Sequence, residues 1–200
     1  MPERFLKGLT KYLSCNQLDT LQKATIGIAG LGGLGSNCAL MLARSGLGHL
    51  VLLDCDLVEA SNLNRQQYWP EDIGKPKTEA LAKRLLALNP HLELKLICKT
   101  LEKSNLKELL STSNLWIEAL DKPETKALFV EEALKSKAWV VAASGIGGFG
   151  QKELKKRVLG NLTVIGDFCT DSLHYPMLAP KVTWAAAMMC DAVLEHLLAT

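Results

Sequence analysis

Residues 24–36 read ATIGIAGLGGLGS, an apolar, β-branched run that passes directly into a glycine-rich segment. The run predicts a buried strand, and Leu40, Ala43 and Leu47 continue an apolar helical face beyond the glycines. Glycines let a backbone approach a phosphate closely, and the N–H groups and positive dipole at a helix start attract an anion. We therefore predict a nucleotide phosphate site at Gly30, Gly32, Gly33, Leu34 and Gly35.

Further apolar runs alternate with helical patterns along the chain. Strands are predicted over 24–30, 49–54, 92–98, 115–120 and 138–144, and helices from Leu34 onward, over 75–89 and over 123–137. Parallel pairing requires long crossover connections, so buried strands separated by helices indicate a parallel sheet. We predict an α/β fold: a Rossmann-like, doubly wound, mostly parallel sheet with helices on both faces.

The chain has 200 residues, of which 48% are hydrophobic, enough for one core and few for two. We expect a single domain over 1–200. Within it we predict an N-terminal helical segment (1–23), a nucleotide-binding core (24–150), and an edge strand, loop and closing helix (151–200). In the last part the strand is expected over 162–167 and the helix over 179–198.

Composition argues against several classes of protein. The formal net charge is +2, with 23 basic and 21 acidic residues, which favours neither nucleic acid nor an anionic membrane as a partner. No apolar stretch reaches the length of a membrane span, so we expect a cytoplasmic protein. The six cysteines form no Cys-x-x-Cys pair, which predicts reduced, mostly buried thiols and no zinc site.

The second predicted strand ends in an acidic residue. Asp54 follows Gly35 by nineteen residues, the place where a carboxylate meets the ribose hydroxyls of a nucleotide. Polar side chains follow where ligands bind in open α/β sheets: Asp56, Asn62, Asn64, Arg65 and Gln66. Together these residues predict a nucleotide site, although a glycine turn that only packs a helix remains the alternative.

Two cations favour ATP over NAD as the nucleotide. Arg65 follows the second strand and Lys77 begins the next helix, so both can converge on one anion. Attack on an α-phosphate needs charge neutralised in the transition state, whereas hydride transfer has little use for two cations. Each residue taken alone is equally well explained as an ordinary solvated charge.

Four segments carry a resemblance to a known family. They are GIAGLGGLGS (27–36), LLDCDLVEASNLNRQ (52–66), IGKPKTEALAKRLLALNP (73–90) and EALDKPETK (118–126). In order and spacing they resemble the ThiF, MoeB and HesA proteins and the adenylation domains of ubiquitin-activating enzymes. The resemblance runs from about Lys23 to the last helix. The segments ASGIGGFG (143–150) and LAPKVTWAAAMM (178–189) are most similar to the short ThiF-type proteins of thiamine biosynthesis.

The resemblance implies roles for individual residues. The glycine turn would hold ATP, Asp54 the ribose, and Asn62, Arg65 and Lys77 the phosphates. Asp121 would hold Mg²⁺, which suits a carboxylate, although it could instead cap the helix that begins at Pro123. Arg65, Lys77 and Asp121 are thus the expected catalytic residues. No general base is needed, because the attacking carboxylate is already a nucleophile.

The resemblance also implies a reaction. An adenylyltransferase of this kind activates the C-terminal glycine carboxylate of a ubiquitin-like, ThiS-like sulfur-carrier protein ending in Gly-Gly. The products are an acyl adenylate and pyrophosphate, and sulfur from a separate donor then displaces AMP. Three alternatives stay open: another carrier such as the molybdopterin one, an NAD-binding Rossmann oxidoreductase, and a non-catalytic partner subunit.

Some positions depart from the family pattern or remain without a role. Lys122 and Lys126 stand where relatives have Asn and Arg, so no function is carried over to them. Cys169 lies in a predicted loop, and Arg4 is the only arginine before the glycine turn; neither is assigned to the site.

The last helix presents apolar residues on more than one side. One face comprises Val182, Ala186, Met189, Val193 and Leu197. Trp184 and Met188 fall toward a different face, which favours a helix sandwiched between two layers. We therefore expect a homodimer.

Overall fold

The computed structural model describes residues 2–150, 152–171 and 174–199. Seven strands form one sheet in the order β3-β2-β1-β4-β5-β7-β6. The strands are β1 (Thr25–Ala29), β2 (His49–Leu53), β3 (Glu93–Ile97), β4 (Leu115–Glu118), β5 (Trp139–Ala143), β6 (Lys155–Leu159) and β7 (Leu162–Gly166). All neighbouring pairs are parallel except β6 with β7. The predicted doubly wound α/β fold is confirmed.

Seven helices accompany the sheet in the described residues. They are α1 (Pro2–Leu9), α2 (Cys15–Lys23), α3 (Gly33–Arg44), α4 (Lys77–Leu88), α5 (Lys103–Leu110), α6 (Pro123–Lys135) and α7 (Ala179–Leu198). Short 3-10 turns cover Ala60–Asn62 and Pro70–Asp72. The start of α2 is fixed by Ser14 and Gln17, whose side chains each bond the other's backbone N–H group. Among the described residues, none of the helices has the length and apolarity to cross a bilayer.

The core lies on both faces of the sheet. On one face α3, α4 and α7 pack against the central strands, and on the other face α5 and α6 do so. Close contact across β1 and β4 depends on Gly27, since a Cβ there would overlap the ring of Trp116. Trp116 in turn meets Phe129 of α6 edge to face, with ring centroids 5.4 Å apart.

Helix α7 closes the first of these layers by packing along α3. Val182, Ala186, Met189 and Val193 are fully buried there, so this face belongs to the core of the chain. Leu197 is only partly buried at the end of the same face. Trp184 keeps 43% of its surface exposed, as expected for a residue that points away from α3.

The structure departs from the sequence-based prediction at several places. Helix α5 and strand β6 were not predicted. Every residue of β6 is exposed, and its basic residues gave no apolar alternation to recognise. Leu47 lies beyond α3, which ends at Arg44 before Gly46 turns the chain with a φ of 91°.

The expectation that the thiols are mostly buried is wrong. Only Cys38 and Cys190 are buried, at the contact between α3 and α7, whereas Cys15, Cys55, Cys98 and Cys169 are exposed. All six are free thiols. The exposed ones lie at helix starts, strand ends and turns, where an apolar neighbour in sequence does not imply burial.

Candidate nucleotide-binding site

The carboxyl ends of three neighbouring strands bring the predicted site residues to one edge of the sheet. Ala29 at the end of β1 is paired with Leu53 of β2 on one side and Glu118 of β4 on the other. The residues that follow, Gly30, Asp54 and the 119–121 turn, therefore lie side by side. This is the point where the strand order reverses, the place where open α/β sheets bind ligands.

The glycine turn contains positions with different structural demands. Gly30 has a φ of 88°, and a Cβ there would lie 2.5 Å from the Ala119 carbonyl oxygen. A Cβ on Gly35 would overlap the carbonyl oxygen of Gly30. At Gly32, by contrast, the only atom within 4 Å of such a Cβ is Gln66 Nε2, at 3.7 Å. The fold thus requires Gly30 and Gly35, while the space above Gly32 is open.

Helix α3 begins at Gly33 with its first turn directed at this opening. No side chain caps the helix start, since its N-cap residue is Gly32. The first N–H groups of a helix have no partner within the helix, so they are available to an anion. The start of α3 is therefore open to an anion, and the phosphate role of this turn stays a prediction.

Asp54 holds the glycine turn to the end of β2. One carboxylate oxygen accepts the Leu31 N–H group at 2.6 Å and the other accepts the Asp56 N–H group at 2.8 Å. Burial raises the pKa of Asp54, and these two N–H groups oppose the rise. Each oxygen keeps a second lone pair, so Asp54 can still accept a ribose hydroxyl.

Lys77 and Asp56 form an ion pair at the start of α4. The Lys77 side chain is only 8% exposed, and its Nζ donates to Asp56 Oδ2 at 2.8 Å. The Lys77 N–H group also donates to the Asp56 carbonyl oxygen at 3.0 Å. Asp56 therefore stabilises the buried ammonium group of Lys77. A bound phosphate would either share this ammonium group with Asp56 or take the place of Asp56 beside it.

Arg65 lies over the beginning of α3. Its Cγ is 3.5 Å from the position that a Cβ of Gly33 would occupy, so its stem covers that turn. Its Nη1 donates to the Ser61 carbonyl oxygen at 3.2 Å and to Asn64 Oδ1 at 2.8 Å. Asn64 in turn donates to the Met177 carbonyl oxygen at 3.1 Å, which ties this segment to the approach of α7.

Two buried amides complete this wall of the site. Asn62 Oδ1 accepts the Glu59 N–H group at 3.0 Å, which shapes the 3-10 turn. Gln66 is 8% exposed, and its Oε1 is buried without a hydrogen-bond partner beside the glycine turn. An unpartnered buried carbonyl oxygen is costly, so a ligand group that donates a hydrogen bond to Gln66 Oε1 would gain stability from the contact.

Asp121 lies exposed in the turn between β4 and α6. Its alternative role as helix cap is wrong, because the N-cap of α6 is Lys122. A separate acidic group lies at the end of β2, where ligand atoms of Asp54, Cys55 and Asp56 lie within 4.8 Å of one another. The oxygens of the two aspartates already accept the hydrogen bonds described above, and no metal was predicted there.

A buried ion pair beneath the site was missed. Glu118, fully buried at the end of β4, accepts Lys126 Nζ at 2.5 Å and the Leu120 N–H group at 2.8 Å. Burial raises the pKa of Glu118, and Lys126 opposes the rise. Glu118 thus fixes the start of the 119–121 turn, and Lys126 also donates to the Ala143 carbonyl oxygen at 3.3 Å at the end of β5. The only sign of this pair in the sequence was a single Glu inside the apolar run LWIEAL (115–120). No function had been assigned to Lys126.

The sheet order and the glycine turn at its reversal point define a Rossmann-like domain. The model of the ThiF family matches residues 8–167 of the chain. The chain therefore belongs to the ThiF family, as its sequence motifs indicated.

Named relatives from bacteria share part of their length with this chain. It is 32% identical over 148 residues to the tRNA threonylcarbamoyladenosine dehydratase of Haemophilus influenzae, covering 73% of this chain and 57% of that protein. It is 36% identical over 125 residues to the sulfur carrier protein ThiS adenylyltransferase of Escherichia coli, covering 62% of this chain and 50% of that protein. The chain thus spans little more than half the length of these curated relatives.

A solved structure confirms the fold over nearly the whole chain. The Escherichia coli tRNA threonylcarbamoyladenosine dehydratase TcdA, in a complex with ATP, superposes with a TM-score of 0.87. The match covers 98% of this chain and 94% of that chain at 22% sequence identity. At that identity the likeness establishes the architecture alone.

Proposed function

We propose that this chain uses ATP and Mg²⁺ to adenylylate the C-terminal glycine carboxylate of a ubiquitin-like, ThiS-like sulfur carrier in thiazole formation. The observation that carries the proposal is the open phosphate turn at Gly32, where the uncapped start of α3 is bordered by Arg65. The ThiS adenylyltransferase relative supports the choice of substrate.

The proposed reaction is a displacement at phosphorus. A carboxylate oxygen of the carrier bonds to the α-phosphorus of ATP, and the bond from that phosphorus to pyrophosphate breaks. Pyrophosphate leaves with the electron pair, so negative charge develops on the oxygens around phosphorus. Arg65 and Lys77 would stabilise this charge, and no proton transfer by the protein is required.

The remaining residues would bind and orient the nucleotide. The N–H groups at the start of α3 would hold phosphate oxygens, and Asp54 would accept a ribose hydroxyl. Asp121 would hold Mg²⁺, which neutralises phosphate charge when bound. A separate sulfur donor then displaces AMP from the carrier. We further propose that the enzyme acts as a cytoplasmic homodimer.

Other substrates and functions would give different results in binding and exchange experiments. A molybdopterin-type carrier would use the same chemistry, and one relative is named for a modified adenosine of tRNA, so tRNA belongs in the test. An NAD-dependent oxidoreductase would bind the dinucleotide and not ATP. A non-catalytic partner subunit would bind no nucleotide productively, which the retained Asp54, Arg65, Lys77 and Asp121 argue against.

ATP–pyrophosphate exchange tests the proposal. The purified chain is incubated with ATP, Mg²⁺, labelled pyrophosphate and carriers ending in Gly-Gly, with each carrier omitted in turn and tRNA in a parallel arm. We expect exchange only with a carrier, and at least a hundredfold loss in Arg65→Ala and Lys77→Ala. Arg44→Ala, which removes a cation at the far end of α3, is the matched control and should retain activity.

Three results would contradict the proposal in different ways. Failure to bind ATP would refute the nucleotide assignment. Exchange that depends on tRNA and on no carrier would replace the substrate. Normal exchange in both Arg65→Ala and Lys77→Ala would refute the phosphate roles of these residues.

A further inference from the structure

A second glycine-rich loop, Gly145–Gly150, lies at the same edge of the sheet as the phosphate turn. It follows β5, and the 167–171 segment follows β7, which pairs with β5 in parallel. Both segments therefore emerge on the far side of β4 from the ribose-binding end of β2. The residues proposed for the nucleotide lie on the other side.

A buried ion pair joins these two segments. Lys181 in the first turn of α7 donates from Nζ to Asp167 Oδ2 at 2.8 Å, and the two side chains are only 8% and 2% exposed. The same Nζ donates to the Gly147 carbonyl oxygen at 2.6 Å. One ammonium group thus holds the second glycine loop to the segment after β7.

Asp167 organises the turn that contains Cys169. Its Oδ1 accepts the N–H groups of Cys169 at 2.9 Å and Thr170 at 2.8 Å, and its Oδ2 also accepts the Thr170 hydroxyl at 2.7 Å. Burial alone would raise the pKa of Asp167, but these donors and Lys181 together hold it well below its ordinary value. These contacts therefore stabilise the charged form of the carboxylate.

The second glycine loop and the residues that follow β7 are in close contact. A Cβ on Gly147 would lie 2.8 Å from the Asp171 carbonyl oxygen, and the Gly148 N–H group donates to the Pro176 carbonyl oxygen at 2.9 Å. Phe168 adopts a φ of 62°, which is unfavourable for a bulky residue and persists only where the surroundings fix it.

The start of α7 connects this network to the phosphate turn. Val182, next to Lys181, has its Cγ1 2.9 Å from the position of a Cβ on Gly33. Met177, just before the helix, accepts the hydrogen bond from Asn64. Lys181 is therefore placed between the phosphate turn and the second glycine loop.

We propose that Lys181 and Asp167 are a positioning pair that fixes the second glycine loop and the Cys169 turn as the wall for the acceptor substrate, the carrier tail. This inference rests on the proposed function, since it assigns the acceptor to the side of β4 opposite the ribose site. The pair touches no reacting atom. It acts by keeping the acceptor wall in one arrangement, which orients the incoming carboxylate.

The test compares Lys181→Met, which keeps most of the stem, with Lys181→Arg, which keeps the charge. We expect amide hydrogen exchange at Gly147, Gly148, Cys169 and Thr170 to accelerate at least tenfold in Lys181→Met, with β1 and α3 changed less than twofold. The ATP dissociation constant, from calorimetry, should stay within threefold, while kcat for carrier-dependent exchange falls at least tenfold. Lys181→Arg should recover most of both losses, and Lys155→Met on the exposed edge strand should have neither effect.

A second variant guards against simple unfolding. Asp167→Asn combined with Lys181→Met removes both charges, so no uncompensated charge remains buried, and it should fold even if Lys181→Met does not. The same loss of kcat with unchanged ATP affinity in this variant would support the proposal. Unchanged amide exchange in the loops would overturn it, and so would opened loops with normal kcat.

Failure of the proposed function would give a different result from failure of the positioning role. A wild-type chain that binds ATP but shows no carrier-dependent exchange would refute that function, while the amide exchange still measures whether the pair orders the loops. Loss of ATP binding in Lys181→Met with the acceptor loops still protected would also overturn the positioning role.

Discussion

At the scale of single residues, neighbouring glycines in one motif serve different purposes. Gly35 allows α3 to pass against the Gly30 carbonyl group, and Gly32 leaves room above the helix start. The sequence presents both as glycines in the same short run. Only their surroundings separate the residue that the fold needs from the residue that a ligand would need.

Substituting these two glycines should separate stability from binding. Gly35→Ala should lower the thermal midpoint by at least 10 °C, because its Cβ overlaps the Gly30 carbonyl oxygen (a loss of about 3 kcal/mol or more in a domain of this size). Gly32→Ala should leave the midpoint within about 2 °C, because its Cβ meets only Gln66. ATP affinity should nevertheless fall in Gly32→Ala if phosphate approaches this position closely. Equal midpoints for the two variants would contradict the distinction.

The buried Glu118 makes a prediction about pH. Its pKa is raised above the ordinary value of 4.5, so its contribution to stability is full below that value and is lost as pH rises through the raised one. Glu118→Gln cannot titrate and should lack this contribution. Urea unfolding at pH 4.5 and 7.5 should show that the wild type loses stability relative to the variant as pH rises. A constant difference between the two proteins would contradict the raised pKa.

At the scale of elements, the hydrophobic pattern recovered strands and helices that are buried on a defined side. Strands β1, β2, β4 and β5 were predicted within about two residues of their ends, since each is a short apolar run in a sheet covered on both faces. The edge strand β3 was predicted too, because apolar residues alternate along LELKLIC (92–98), whereas β6 begins with three basic residues and has no such alternation. The ends of the helices were predicted less accurately than those of the strands, because capping and tight turns determine where a helix ends.

Helix α7 offers a matched test of its buried face. Met189 is fully buried against α3, whereas its neighbour Met188 is only partly buried. Met189→Ala should reduce the free energy of unfolding by about 2–5 kcal/mol, because it removes apolar contacts and leaves a cavity. Met188→Ala should cost clearly less in the same denaturant titration. Equal losses would mean that α7 has no single core face.

At the scale of the whole molecule, the site is assembled from segments that are distant in sequence. The glycine turn, Asp54 and Lys77 could be predicted from the sequence as parts of the candidate site, because each lies in or next to a recognisable motif. The pairs Glu118–Lys126 and Asp167–Lys181 could not, since each depends on which loops the sheet order brings together. Side chains that hold other parts of a site in place have no motif of their own.

The proposed homodimer can be tested through Trp184. This residue is 43% exposed on the outer side of α7, and we expect a partner subunit to cover it. Sedimentation should give a particle of twice the chain mass, and Trp184→Glu should shift it toward the monomer. Leu159→Glu on the edge strand β6 is the control and should leave the mass unchanged. A wild-type monomer would refute the dimer, and a dimer insensitive to Trp184→Glu would place its interface elsewhere.

The exposed strand β6 has a consequence for behaviour at high concentration. Its outer backbone groups face away from β7, and such an edge can pair with the edge of another copy and start aggregation. Lys155, Lys156 and Arg157 follow one another on this strand, so two such edges brought together would oppose like charges. We therefore expect the basic run to oppose fibre growth of the folded chain, and high salt should weaken that effect.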